Sequence, residues 1–129
     1  MGSHSHSMQP IDIIEGDNKT LVFYSMGNFV SHDDDIARTE KGNETFDNAY
    51  QIGLLSKVKI EYDNSEVNFK EIKTIPIINY FDKNKTNFEL IPYSDYNNNY
   101  ETNHYRYNLG FNKTFIEKTF NSVVEKKYQ

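Results

Sequence analysis

The spacing of apolar residues near the amino end predicts a β-hairpin. Ile11 and Ile13 lie on one side of an extended segment with a polar residue between them. Residues 16–18, Gly-Asp-Asn, are typical of a tight turn. Residues 21–24 form a continuous apolar run, as expected for a strand that is covered on both faces. This run leads to Gly27, where a sharp backbone bend is predicted.

A second hairpin is predicted between residues 51 and 76. Apolar residues alternate with polar ones before and after a turn at 63–65, so one face of the hairpin is expected to be buried. The residues assigned to that face are Val58, Ile60, Val67 and Phe69. Ile72 and Ile75 are out of phase with them, which predicts a β-bulge before Pro76.

The carboxyl-terminal part is predicted to hold a helix, preceded by two short apolar runs. Either run, 76–80 or 88–93, could be an edge strand, because both carry prolines, which restrict strands to the edge of a sheet. Apolar residues then recur at helical spacing within 111–129. They are Phe115, Ile116, Phe120, Val123 and Val124. Thr114 and Glu117 match a capping box, and lysines near the carboxyl end suit the helix dipole.

Two segments are polar and show no periodicity. Residues 31–50 include His32 and the acidic run 33–35, which is interpreted as a solvated loop, with a metal-binding role as the alternative. Residues 93–107 are rich in Tyr and Asn and are interpreted as a flexible linker. An aromatic platform for carbohydrate or peptide is the alternative there. His104 is predicted to lie at the surface.

Composition excludes several kinds of site and partner. The chain has 129 residues, enough for one ordinary domain, and the element pattern indicates the α+β class. Cysteine is absent, which excludes disulfides and thiolate metal sites. A formal net charge of −5 without a basic stripe argues against nucleic acid as a partner. No apolar stretch approaches the roughly 18 residues of a membrane span.

Candidate chemistry is concentrated in residues 2–10, here called the histidine loop. His4 and His6 stand two residues apart, so in an extended segment both imidazoles project from one side. Imidazole is a common ligand for transition metals, although a metal ion needs more than two ligands. A second candidate segment is 24–29, Tyr-Ser-Met-Gly-Asn-Phe, here called the glycine-asparagine segment. The predicted hairpin leaves open whether the two segments lie at opposite ends or are brought together.

Together the two segments resemble the closing part of the CapA-type capsule (poly-γ-glutamate) synthesis family, which is similar to the calcineurin-like metallophosphoesterases. The residues that carry the resemblance are Gly2, His4, His6, Gln9, Pro10, Ile11, Gly27, Asn28 and Phe29. The resemblance is specific over residues 2–31, extends to about residue 58 and fades beyond that point. Gly2, His4 and His6 occupy the positions of the last metal motif of that family.

The resemblance implies the carboxyl-terminal part of a metallophosphatase-like, four-layer αββα sandwich. It implies His4 and His6 as ligands of manganese, zinc or iron, in a centre that is dinuclear in the full-length domain. Gln9, Asn28 and His32 are implied as substrate-side or site-shaping residues. It also implies a cell-envelope or extracellular location and a polyanionic capsule polymer, or its precursor, as a partner.

The earlier metal motifs of that family, including an Asp-x-His, would lie upstream of Met1. We therefore expect a chain that is incomplete and inactive alone, and that needs the missing amino-terminal half of the domain or a second chain. No catalytic residue is assigned, and hydrolysis, transfer or no reaction all remain open. Residues 1–92 are assigned to the CapA-like domain, 93–110 to a polar linker and 111–129 to a helix.

Two alternative interpretations remain open at this point. Residues 1–8 resemble a purification leader, although the family spacing of the residues that follow favours native histidines. The chain could also be a non-catalytic cell-surface or polymer-binding module, with 93–107 as its contact face. Metal binding that requires both histidines favours a metal site, whereas polymer binding that requires the tyrosines favours the module.

Overall fold

The computed structural model of the protein describes residues 4–29, 44–63 and 66–129. The strands are β1 (Ile11–Ile14), β2 (Thr20–Phe23), β3 (Ile52–Asp63), β4 (Glu66–Phe81) and β5 (Phe88–Pro92). The helices are α1 (Glu44–Ala49), α2 (Asn98–Asn103) and α3 (Lys113–Val123). A short 3₁₀ turn follows α2 at Tyr107–Leu109, and another follows α3 at Lys126–Tyr128. The predicted α+β class, with antiparallel hairpins and a helix near the carboxyl end, is confirmed.

β1 and β2 form the first predicted hairpin, in which Ile11 lies opposite Phe23 and both side chains enter the core. Beyond the open end of this hairpin, Met8 and Met26 form one further antiparallel bridge. The chain before the first strand of a hairpin and the chain after the second strand leave from the same end. The histidine loop and the glycine-asparagine segment are therefore neighbours, and an arrangement at opposite ends is excluded.

β3 and β4 form the second predicted hairpin, which is much longer than the first. Lys59 pairs with Glu71, and Ile60 pairs with Phe69, so Lys70 is the extra residue of a β-bulge. The bulge predicted before the proline of this strand is confirmed. Its extra residue explains why the apolar positions on either side of it are out of phase.

The outer part of the second hairpin is more exposed than predicted. Ile60 and Val67, assigned to the core from sequence, are 57% and 40% exposed. Val58 does pack against the core, and Phe69 is half-buried. Alternation identifies one face of a strand, but whether another layer covers that face depends on the rest of the fold.

β4 is the central strand of a three-stranded sheet with the order β3-β4-β5. The prediction that 76–80 form an edge strand is wrong, because β4 continues through Pro76 and pairs on both sides. Pro76 has no N–H to donate, but its carbonyl accepts a hydrogen bond from the Tyr93 N–H at 3.0 Å. β5 is the edge strand predicted at 88–93.

α3 begins two residues before the position that the predicted capping box implies. Asn112 is its N-cap, and the Asn112 side chain accepts a hydrogen bond from the Phe115 N–H at 2.9 Å. The assignment of a cap to Thr114 is therefore wrong. Ile116 and Phe120 are buried as predicted. The helix ends at Val123, so the last lysines lie in the 3₁₀ turn after it and not in its final turn.

Residues 93–110 are packed into the fold, whereas their composition favours a flexible linker. Tyr96 and His104 are both 0% exposed, and α2 lies between them with Asn97 as its N-cap. The prediction that His104 lies at the surface is wrong. His104 stacks on Phe111 with ring centroids 4.4 Å apart, inside a cluster of rings that we call the aromatic cluster. Its other members are Tyr80, Tyr96, Tyr100 and Phe115.

Candidate metal-binding site

Two glycines bring the glycine-asparagine segment against β3. Gly27 and Gly53 face each other in an antiparallel bridge. Gly27 has φ of 69°, and a Cβ atom there would lie 2.5 Å from the Ile52 carbonyl oxygen. A Cβ atom on Gly53 would lie 2.2 Å from the Asn28 carbonyl oxygen. The backbones approach this closely because neither residue has a side chain. The bend predicted at Gly27 is confirmed, and nothing in the sequence pattern indicated the role of Gly53.

Asn28 is buried at this crossing and is hydrogen-bonded on three sides. Its Nδ2 donates to the Tyr50 carbonyl oxygen at 3.0 Å. Its own carbonyl oxygen accepts from Asn79 Nδ2 at 3.1 Å. Its Oδ1 lies 2.8 Å from Nδ1 of His6. His6 and Asn28, two candidate site residues that lie 22 positions apart in the sequence, are therefore in direct contact.

The histidine loop is a series of turns rather than the extended segment from which a common side for both rings was predicted. His4 and His6 are exposed, and Ser5 between them donates its hydroxyl hydrogen to the Ser7 carbonyl oxygen at 3.0 Å. His6 has φ of 55°, in the left-handed region that non-glycine residues seldom adopt. The His6 ring centroid lies 5.9 Å from that of Tyr50.

The other predicted site residues have different placements. Gln9 has an exposed side chain, while its backbone N–H donates to the Ser25 carbonyl oxygen at 2.9 Å and so helps to hold the two segments together. His32 and the acidic run 33–35 lie outside the described residues. The part of 31–50 that is described contains α1, in which Asp47 is buried rather than solvated.

The two histidines fit a metal site by the type of their donor atoms but not by their number. Neutral imidazole nitrogen suits zinc, iron and similar ions, and a metal-binding histidine ordinarily has its second nitrogen hydrogen-bonded, as His6 has. Within residues 4–29, 44–63 and 66–129, no group of three or more His, Cys, Asp or Glu side chains could hold a metal ion. His4 and His6 can therefore supply only part of a ligand set.

A second polar group, buried inside the fold, has no metal-binding capacity. His104 accepts the Arg106 backbone N–H at its Nδ1, 3.1 Å away, and its Nε2 lies 3.2 Å from the Asn79 carbonyl oxygen. Burial lowers the pKa of His104 to about 4. Both ring nitrogens are thus engaged in a neutral imidazole, which is fixed as a structural residue.

The same buried group attaches α1 to the carboxyl-terminal part of the chain. Arg106 donates from Nε to Asn48 Oδ1 at 2.7 Å, and its Nη2 lies 3.5 Å from Asp47 Oδ2. Asn48 in turn donates to the Leu109 carbonyl oxygen at 2.9 Å. Sequence reasoning missed this group, because its members lie in two segments that look polar and irregular.

The comparison with protein families concerns the histidine loop and the glycine-asparagine segment together. Residues 1–33 match the bacterial capsule synthesis protein family PGA_cap. The matched residues, here called the capsule synthesis segment, contain both histidines and Asn28 and amount to 33 of the 129 residues. The predicted resemblance to capsule synthesis proteins is confirmed for this segment, which speaks against a purification leader as the origin of the histidines. No curated protein and no solved structure matches the chain.

Across the part of the chain that the structure describes, no helix has the length and apolar character that crossing a membrane requires.

Proposed function

We propose that this protein acts in bacterial capsule synthesis, with His4 and His6 of the capsule synthesis segment as ligands in a phosphatase-like metal site. The observation that carries the proposal is the 2.8 Å contact between His6 Nδ1 and Asn28 Oδ1 inside the matched residues. The ion would be manganese, zinc or iron, as one of a pair in the complete centre. Such an ion polarises an oxyanion substrate and makes hydroxide available near neutral pH.

The remaining ligands come from outside the described residues, either from another part of the protein or from a second chain. Two exposed histidines give neither the number of ligands nor the rigidity that a dinuclear centre needs. Phe29 and Tyr24, next to the site, are exposed and offer apolar surface that such a partner would cover. The substrate would be a polyanionic capsule polymer such as poly-γ-glutamate, or its precursor, handled in the cell envelope.

Calorimetric titration of the chain with manganese and with zinc tests the metal site. We expect micromolar binding that is lost in both His4→Ala and His6→Ala. A His32→Ala variant determines whether the third histidine of this region also contributes. Metal binding that is unchanged in both single variants would contradict the proposal.

The same proposal predicts that the isolated chain does not turn over substrate. A partial ligand set cannot hold a pair of ions in a fixed geometry, so we expect no steady hydrolysis of a generic phosphodiester. Steady hydrolysis that disappears in His4→Ala would show that the ligand set is complete.

Two of the tyrosines in 93–107 do not support the alternative of a polymer-binding module. Tyr96 is fully buried, and Tyr100 packs edge-on against Tyr80 with ring centroids 5.0 Å apart. These rings face the interior of the fold, so they do not form an open platform for a polymer.

A further inference from the structure

The contact between Asn28 Oδ1 and His6 Nδ1, at 2.8 Å, bears on which ring nitrogen of His6 carries its proton. We propose that Asn28 is a positioning residue: it fixes His6 as the Nδ1–H tautomer and so leaves the lone pair on Nε2, the atom offered to the metal. The metal part of this inference rests on the proposed function above, whereas the tautomer is a property of the metal-free chain.

The first step is the orientation of the Asn28 amide. The oxygen and nitrogen of an asparagine side chain are distinguished by their hydrogen-bond partners. One end of this amide lies 3.0 Å from the Tyr50 backbone carbonyl oxygen, which can only accept. That end must be the NH₂ group, and Oδ1 must be the end that faces His6.

The second step is the proton on His6. Oδ1 of an amide accepts hydrogen bonds and cannot donate them, so the ring nitrogen 2.8 Å away must carry the hydrogen. A neutral imidazole has one N–H and one unprotonated nitrogen. With the proton on Nδ1, the unprotonated nitrogen is Nε2.

The third step is that Asn28 cannot readily move away from this position. Its backbone carbonyl oxygen accepts from Asn79, a fully buried residue of the central strand β4. The same carbonyl lies against Gly53, where not even a Cβ atom would fit. The amide is therefore attached to the sheet, and an exposed histidine gains a fixed hydrogen-bond partner from the interior.

His104 provides an internal reference with the opposite tautomer. Its Nδ1 faces a backbone N–H, which can only donate, and its Nε2 faces a backbone carbonyl, which can only accept. His104 must therefore carry its proton on Nε2. One protein thus contains both tautomers, each set by a different partner.

A long-range proton–nitrogen correlation NMR spectrum of the metal-free, ¹⁵N-labelled 129-residue chain tests the inference. At roughly pH 8, above the ordinary histidine pKa of about 6.5, the two tautomers give different patterns of ring nitrogen shifts. We expect the Nδ1–H pattern for His6 and the Nε2–H pattern for His104. An Nε2–H pattern for His6 would overturn the inference, and no variant is needed for that result.

Variants at Asn28 separate its role from simple support of the fold. In Asn28→Ala we expect His6 to populate both tautomers, and zinc affinity to fall about 10- to 100-fold, as for other partners of metal-binding histidines. Asn28→Asp still offers an acceptor to Nδ1 but no donor to the Tyr50 carbonyl oxygen, so we expect it to restore the Nδ1–H pattern only in part. Asn121→Ala, at an exposed asparagine of α3, is the matched control and should leave both readouts unchanged. The His104 pattern reports in each spectrum whether the core is intact.

The outcomes distinguish the inference from the proposed function. Nδ1–H in the native chain that persists in Asn28→Ala overturns the role of Asn28. Zinc binding that requires His6 while His6 is Nε2–H supports the metal site and overturns the inference. Nδ1–H that depends on Asn28, combined with no zinc binding, supports the tautomer assignment and overturns the metal site.

Discussion

His6 and His104 are the same side chain in two regions that differ in almost every physical respect. His6 is exposed, lies in a turn, has one ring nitrogen hydrogen-bonded to Asn28 and lies beside the Tyr50 ring. His104 is fully buried, stacks on Phe111 and has both ring nitrogens engaged by backbone groups. The comparison teaches that a histidine is available for chemistry when its surroundings satisfy one nitrogen and leave the other, and is structural when they satisfy both.

The two regions also differ in what they contribute to stability. The aromatic cluster and the polar group beneath it bury rings, a histidine and an ion pair. The histidine loop is attached by backbone contacts at Met8 and Gln9 and by the buried Met8 side chain, whereas its two histidines are exposed. We therefore expect substitutions in the first region to alter the free energy of unfolding, and substitutions of the two histidines to alter binding.

The largest effect is expected for Asp47→Ala, which leaves the buried Arg106 without its counter-charge. Removing one partner of a buried ion pair costs about 3–5 kcal/mol of unfolding free energy. We expect the lower end of that range, because Asp47 Oδ2 forms no hydrogen bond among the described residues. Urea denaturation followed by circular dichroism measures the loss. Glu61→Ala, which breaks two exposed pairs, with Lys59 at 3.4 Å and with Lys70 at 3.5 Å, is the control and should cost about 1 kcal/mol or less.

An equal loss in the two variants would show that the Asp47–Arg106 pair is solvated, and it would remove the distinction between the two regions.

The next effect is the pH dependence that His104 gives to stability. Its pKa is about 4 in the fold, below the ordinary value of 6.5, so the unfolded chain binds the proton more tightly. The contribution of His104 to the free energy of unfolding is fully present above about pH 7. It declines as the pH falls through 6.5 and stops declining below about pH 4. The total change is roughly 3 kcal/mol.

Urea denaturation across this pH range in the native chain and in His104→Gln isolates the contribution of the histidine. The variant has no titrating group at this position, so its free energy of unfolding should change less with pH between pH 4 and 6.5. Identical slopes in both proteins would place His104 in contact with water and contradict its burial.

A smaller effect is expected for Gly53→Ala at the crossing with the glycine-asparagine segment. The new methyl group would meet the Asn28 carbonyl oxygen at 2.2 Å, and relieving such overpacking costs about 1–3 kcal/mol. Because the displaced residue is Asn28, we also expect a loss of zinc affinity. Gly16→Ala is the matched control, since the nearest atom to its Cβ would be 3.8 Å away. Full zinc affinity in Gly53→Ala would show that the crossing does not position the site.

The smallest effect on stability is expected for His6→Ala. His6 is exposed, so its loss should change the unfolding free energy by about 0.5 kcal/mol or less while it removes metal binding. Denaturation and calorimetric titration of the same sample measure both properties. A stability loss as large as that of Asp47→Ala would mean that His6 is a structural residue like His104.

The parts of the fold that could be predicted from sequence are those set by contacts within a few tens of residues. Both hairpins follow from alternation and turn residues, and the bulge at Lys70 follows from a change of phase. The apolar spacing of α3 identified Ile116 and Phe120 as buried. The strand through Pro76 was misplaced, because a proline excludes a central position only where its missing N–H is needed.

The parts that could not be predicted depend on partners that are distant in sequence. Arg106 meets Asn48 across 58 positions, and no periodicity marks either residue. Tyr96 and His104 lie in an Asn-rich segment whose composition favours solvent exposure, yet both are fully buried. Backbone groups far from His104 in sequence or beside it engage both of its ring nitrogens. At the candidate site, His6 and Asn28 could be singled out from their resemblance to a family, but their contact depends on Gly53 and Asn79, which carry no such motif.

The crossing of Gly27 over Gly53 joins the capsule synthesis segment to a strand that lies outside the family match. The end of the family match at residue 33 is therefore not a structural boundary. A synthetic peptide of the first 33 residues would lack Tyr50, Gly53 and Asn79, the three residues that immobilise Asn28. Any redesign or transplantation of the motif must carry the long hairpin with it.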